Sequence, residues 1–216
     1  MGELGTGLDP TRERLLEAAG EEFAAHGFDG ATIRAICRRA GANLAAVNYH
    51  FGDKERLYYE AVLAAHRCGL PHDPDLSAPP EAGPAERLRI YVRRFLEQVV
   101  AVDRSRSWHH DLMLREMIRP SGVCEALTEE RIRPRFRRLR EIVEELAPGL
   151  EQRRLDALCF TVIGQCLFYR MGRSVAERLI GPQAWARLDT EFLADHITRC
   201  SLAAVEAWAA PVEAGR

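Results

Sequence analysis

Residues 48–56 read Asn-Tyr-His-Phe-Gly-Asp-Lys-Glu-Arg and carry Lys54, the only lysine in a chain whose other cations are all arginine. An ammonium is a compact point charge with three donors, whereas a guanidinium is a planar fork, so the two are not interchangeable in a tight site. The charge gathered around it is what a phosphate-binding patch needs. The stretch 31–56 adds Arg34, Arg38, Arg39 and Arg56, set against Asp53 and Glu55. Five cations and two carboxylates leave a local charge of +3 inside a chain of net charge −2. Any surface for nucleic acid is therefore local rather than global.

Other clusters point to less. His109 and His110 are adjacent, so on a helix their side chains diverge, whereas zinc prefers histidines at i and i+4. No metal site is expected. The segment 131–140 holds six arginines. Glu129, Glu130, Glu141, Glu144 and Glu145 recur at helical spacing around it, which favours a solvated, self-paired face over a second nucleic-acid or anion site. The six cysteines (37, 68, 124, 159, 166 and 200) contain no CxxC pair and read as free thiols. Cys159 and Cys166 share one helix face. Nothing resembles a nucleophile elbow, an HExxH helix or a glycine-rich phosphate loop. No catalytic residue and no cofactor are expected.

The elements that must position Lys54 are helices. Alternating apolar and polar runs and Asn-Gly hairpin signals are missing. Asp9-Pro10 is an N-cap with proline at the first helical position. Leu15, Leu16, Ala19 and Phe23 then recur at helical spacing, and Gly27 offers a stop. Thr32 caps a short helix whose Ile33, Ile36 and Ala40 face inward. Gly41 permits a tight turn, and a second short helix over 44–50 turns Val47 and Phe51 to the core. Asp53 caps the next helix. Residues 69–85 hold five of the eleven prolines, which no helix survives. Beyond them lie four or five longer helices, the last expected over 184–209. The all-α layout is thus a head over 1–66, a linker over 67–86 and a helical domain over 87–216.

Two short helices joined by a glycine turn form a helix-turn-helix, whose second helix enters the DNA major groove. At these residues the chain resembles the TetR family of bacterial transcriptional repressors. Asn48-Tyr49-His50-Phe51-Gly52-Asp53-Lys54-Glu55 matches that family's aromatic–aromatic–His–Phe exit from the recognition helix, with Asn48 where tyrosine is usual. AAHGFDGATIRAICRRAGA, which precedes it, matches too. The match covers about residues 10–66. AAVNYHFGDKE and LREMIRP (114–120) are also similar to a subset tied to antibiotic or toxic-compound response. The resemblance implies a phosphate-contacting role for Lys54, with Thr32, Tyr49 and His50 contributing. Asn43, Leu44, Ala45, Ala46 and Asn48 would face the bases, Asn reading adenine and the apolar groups thymine methyls. Arg34 would reach a base or a phosphate.

The resemblance further implies a C-terminal helical domain that dimerises and binds a small-molecule effector. Trp108, Met113, Met117, Phe160, Gln165, Phe168 and Tyr169 are the candidate lining. The stretch 158–169 is apolar almost all round, and the last helix keeps an apolar stripe. A second copy is the expected cover for both, with Gly164 allowing close approach. The partners implied are double-stranded operator DNA, an effector and a second copy, acting as a ligand-released repressor. The alternative is a helical module that binds a small molecule or protein and has no specific DNA affinity. No apolar run reaches the roughly 20 residues of a membrane span, and residues 1–14 have no apolar signal core. A cytoplasmic protein without membrane contact is expected.

Overall fold

The computed structural model describes residues 9–67, 76, 78–100 and 107–209, and no strand occurs among them. Helices run in the order α1 (Pro10–Gly30), α2 (Ile33–Ala40), α3 (Leu44–Phe51), α4 (Lys54–Arg67), α5 (Pro84–Val100), α6 (Ser107–Ile118) and α7 (Gly122–Leu127). A π-helical turn (Thr128–Ile132) follows. Then come α8 (Arg133–Leu146), α9 (Gln152–Met171), α10 (Arg173–Ile180), α11 (Pro182–Trp185) and α12 (Thr190–Ala209). Among the described residues no helix is long and apolar enough to cross a membrane.

The chain divides into two compact units. The first holds α1–α4 together with α6 and α7; the second holds α5 and α8–α12. Each has its own apolar core. In the first, Leu15, Phe23, Ile36, Val47, Phe51, Leu57, Tyr58, Trp108, Leu112 and Leu127 pack together. Phe23 meets Tyr58 edge-on, with ring centroids 4.7 Å apart. In the second, Leu88, Tyr91, Leu96, Leu139, Val143, Cys159, Val162, Cys166, Leu193 and Ile197 do the same.

The local start signals behave as their chemistry dictates. Asp9 accepts the Thr11 N–H at 2.8 Å, Thr32 the Ala35 N–H at 3.2 Å, and Asp53 the Arg56 N–H at 2.7 Å. Each satisfies one of the orphan donors of a first helical turn.

Three features depart from the sequence expectation. Residues 107–127, placed with the C-terminal part by their order in the chain, pack in the first unit. The Trp108 indole covers Gly20 of α1, where even a methyl group would lie 2.3–2.5 Å from three ring atoms. The helix expected over 184–209 is interrupted, because α11 ends at Trp185 and α12 begins at Thr190, where the Asp189 carboxylate caps Phe192 N–H at 2.8 Å. The arginines of 131–140 pair only partly within their own helix. Arg133 meets Glu129, but Arg140 reaches Asp156 of α9 at 3.2 Å, and Arg135 donates to the buried Gln98 of α5 at 2.8 Å.

Cys37, Cys159, Cys166 and Cys200 are unpaired thiols. Burial pushes Cys159 and Cys166 up to about 12. They remain protonated at neutral pH and pack as small apolar groups.

Gly20→Ala is expected to reverse the usual helix gain of about 1 kcal/mol and to destabilise by about 1–3 kcal/mol. Chemical denaturation of the single variant, and of the same variant carrying Trp108→Leu, checks this. The second change should restore most of the loss.

Candidate nucleic-acid interface

The site is built on an eight-residue helix, α3, which is too short to persist alone in water. It is held by Val47 and Phe51, both buried in the first core. The turn before it depends on Gly41, whose φ of 60° and ψ of 38° are left-handed. There the Ala42 N–H returns to the Cys37 carbonyl at 3.0 Å. A residue with a β-carbon is strained in that conformation. Arg14 ties the same corner to α1, donating from Nε to the Ala40 carbonyl at 3.3 Å.

With Val47 and Phe51 inward, the opposite face of α3 is Leu44, Ala45, Asn48 and Tyr49, all exposed. Leu44 is 58% and Tyr49 84% exposed. Side chains this open on a short helix are free to meet a partner surface, and an apolar one can contact a thymine methyl. Ala46 is half-buried. Asn43 caps α3, its Oδ1 accepting the Ala46 N–H at 2.9 Å. A bidentate bond to adenine would have to share that oxygen with the cap, whereas the amide N–H₂ is not engaged by it. Asn48 keeps both amide atoms.

The cations sort into two groups. Arg39 is engaged inside the unit, bound to Glu21 at 2.7 Å and to the buried Glu22 at 2.9 Å. Arg56 pairs with Glu60 at 3.0 Å. Arg34 and Arg38 are exposed, with no ion-pair partner among the described residues. Arg34 and Thr32 line an open depression with Ile33, Cys37 and Leu44, between the starts of α2 and α3. Lys54 opens α4, and its Nζ stands 4.6 Å from the centroid of the Phe28 ring. That cation–π contact is worth about 0.5–1 kcal/mol at an exposed site. It also restricts where a flexible four-carbon stem puts its charge.

His50 is a correction. Its side chain is only 10% exposed and its Nε2 lies 3.8 Å from the Asp9 carboxylate. It sits between the rings of Tyr49 and Phe51 and faces the start of α1 rather than outward. The Asp9 carboxyl is held below its ordinary value, first by the Thr11 N–H and also by His50. Of the two side chains on the exit turn, Tyr49 is the one turned to solvent. Three supports of this face have little signal in the sequence. Asp9 is 41 positions from His50. Arg38 stands out there as charge only. Phe28, the platform under Lys54, is there only an aromatic just beyond a helix-stopping glycine.

The seven candidate effector residues divide between the units. Trp108 is core, Met113 packs against that core and Met117 is exposed, all in the first unit. In the second, Phe160 and Phe168 are 62% and 54% exposed on the outward face of α9, while Gln165 and Tyr169 are half-buried.

Residues 15–61 match the family described as bacterial regulatory proteins, tetR family. Residues 84–205, more than half of the chain, match the C-terminal domain of the HTH-type transcriptional dual regulator CecR. The chain belongs to the TetR family. Among relatives, the HTH-type transcriptional repressor AcnR of Corynebacterium efficiens is 42% identical over 57 residues, 26% of this chain and 30% of that protein. The chain thus spans less than a third of that relative's length. A TetR-family regulatory protein from Rhodococcus RHA1 superposes with a TM-score of 0.62 at 18% identity, over 92% of this chain and 98% of that one. AibR, solved with isovaleryl coenzyme A and operator DNA, gives 0.55 at 19% identity over 88% and 97%. At these identities the likeness concerns the TetR fold.

For this TetR-family head, Asn43→Ala is expected to cost about 1 kcal/mol through the lost cap. Asn43→Asp should keep that stability, because a carboxylate caps equally well. Thermal unfolding of the two variants side by side measures the difference.

Proposed function

We propose that the chain is a homodimeric transcriptional regulator that binds double-stranded operator DNA through α3 and is released from it by a small-molecule effector. The observation that carries this reading is the α3 surface itself. A capped eight-residue helix buries Val47 and Phe51 and turns Leu44, Ala45, Asn48 and Tyr49 to solvent, flanked by Arg34, Arg38 and Lys54. Phosphate contacts from Thr32, Arg34, Tyr49 and Lys54 would fix register, and Leu44, Ala45 and Asn48 would read the groove.

Dimerisation is supported by two stripes in the second unit. Phe160, Gly164 and Phe168 lie exposed along α9; Phe192, His196 and Cys200 lie exposed along α12. The two helices pack on one another, so the stripes belong to one antiparallel or crossed helix pair suited to a four-helix contact with a second copy. Two heads would then meet successive major grooves of a pseudo-palindrome. AibR carries isovaleryl coenzyme A in its solved complex. For this chain the effector is assigned to the helical second unit, with Gln165 and Tyr169 as its contacts. A ligand that favours the conformation with poor DNA affinity weakens the complex by linkage. The place of action is the cytoplasm.

The test is fluorescence anisotropy with duplex from the intergenic DNA upstream of the chain's own gene, against a scrambled duplex, over a salt series. Tight, salt-dependent binding to the genomic duplex alone supports site-specific regulation. Equal weak binding to both transfers the reading to a helical binding module without an operator. Lys54→Ala should weaken binding to every sequence and lower the salt slope by about 1.8, since each of the two heads of the dimer loses one phosphate contact. Arg39→Ala, whose polar partners among the described residues are the Glu21 and Glu22 carboxylates of α1, should leave the slope unchanged. In parallel, Phe160→Glu combined with Phe168→Glu should convert a dimer to a monomer by sedimentation.

A further inference from the structure

The sequence LREM (114–117) on α6 carries two polar groups that the DNA-facing surface does not use. Glu116 is buried. A buried carboxylate persists only when its lone pairs are met. Its Oε1 accepts the Tyr58 hydroxyl, and its Oε2 accepts the N–H and hydroxyl of Ser121 at 3.2 and 3.0 Å. Arg115 faces α1. Its Nε donates to the Ala24 carbonyl at 3.2 Å and its Nη2 to the Ala25 carbonyl at 3.0 Å. These carbonyls lie just before α1 breaks at Gly27, where φ is 73°. A β-carbon on Gly27 would stand 2.9 Å from Arg115 Nη1, so the glycine admits the guanidinium.

Together the two residues bracket Phe28. Arg115 holds the chain that precedes it. Glu116 holds Tyr58, whose ring meets Phe28 edge-on with centroids 5.1 Å apart. Phe28 in turn carries the Lys54 ammonium 4.6 Å from its ring centroid. Every link lies within the first unit.

We infer that Arg115 and Glu116 are positioning residues for the phosphate contact of Lys54, acting through Phe28 and Tyr58. Glu116 pins Tyr58, Tyr58 sets the plane of Phe28, and that plane decides where the only ammonium among the side chains stands. The assignment rests on the reading of Lys54 as a phosphate contact, and the experiment separates the two.

The measurement is anisotropy over a salt series, with the same upstream duplex, for Glu116→Met, Lys54→Ala and their combination. Glu116→Met should weaken binding about tenfold, within the range of one charged hydrogen bond. It should lower the salt slope by up to about 1.8, as the loss of one phosphate contact in each head of the dimer does. The double variant should bind no more weakly than Lys54→Ala. Arg115→Met should behave as Glu116→Met does. Glu116→Gln keeps an acceptor for the Tyr58 hydroxyl and should restore most of the affinity. Where Glu116→Met does not fold, Tyr58→Phe removes the same link with the ring intact and should show the same lack of additivity with Lys54→Ala. Full additivity, or an unchanged slope in Glu116→Met or Tyr58→Phe, overturns the inference while leaving Lys54 as a phosphate contact. An unchanged slope in Lys54→Ala overturns both.

Discussion

A helix of eight residues has almost no stability of its own, so whatever α3 presents to solvent depends on the two side chains it buries. Val47 and Phe51 bring it onto the core formed by Leu15, Phe23, Ile36 and Tyr58. The Asn43 cap and the left-handed Gly41 fix its ends. Because the inward pair is four residues apart, the outward residues are decided by geometry alone. Leu44, Ala45, Asn48 and Tyr49 face out because Val47 and Phe51 face in.

Charge around that face is arranged just as sparingly. A chain of net charge −2 cannot attract a polyanion as a whole. The first unit neutralises the cations it does not need at the surface. Arg39 joins Glu21 and Glu22, Arg56 joins Glu60, and Arg12 joins Glu60 at 3.2 Å. Arg34 and Arg38 are left outward. Lys54 is held by an aromatic ring rather than a carboxylate, which steers the ammonium without cancelling its charge. A glutamate in place of Phe28 would also fix the side chain, but would neutralise its charge.

What could be read from the sequence was what is decided locally. The caps at Asp9, Thr32 and Asp53, the glycine turn and the inward phase of Val47 and Phe51 all depend on residues within one or two helical turns. The departures come from contacts between distant positions. His50 looks like a surface ligand until Asp9 is brought to 3.8 Å from it. Trp108 has the spacing of a pocket wall, and only the absent side chain of Gly20 reveals it as packing against α1. Phe160 and Phe168 share helical spacing with buried residues of α9 yet face outward, because Leu158, Val162 and Cys166 take the inner face.

The placement of α6 alters how the fold divides. The CecR C-terminal match begins at residue 84 and includes α6, yet α6 packs with α1 and α4 in the unit that holds α3. The boundary of sequence likeness is therefore not the boundary of packing. Glu116 explains why α6 does not sit there passively. A buried carboxylate is costly unless its partners are supplied, and here they come from both α4 and the turn leading to α7. Shifting α6 by even a fraction of a helical turn would strand that charge. The segment is thus held in one discrete position against the head.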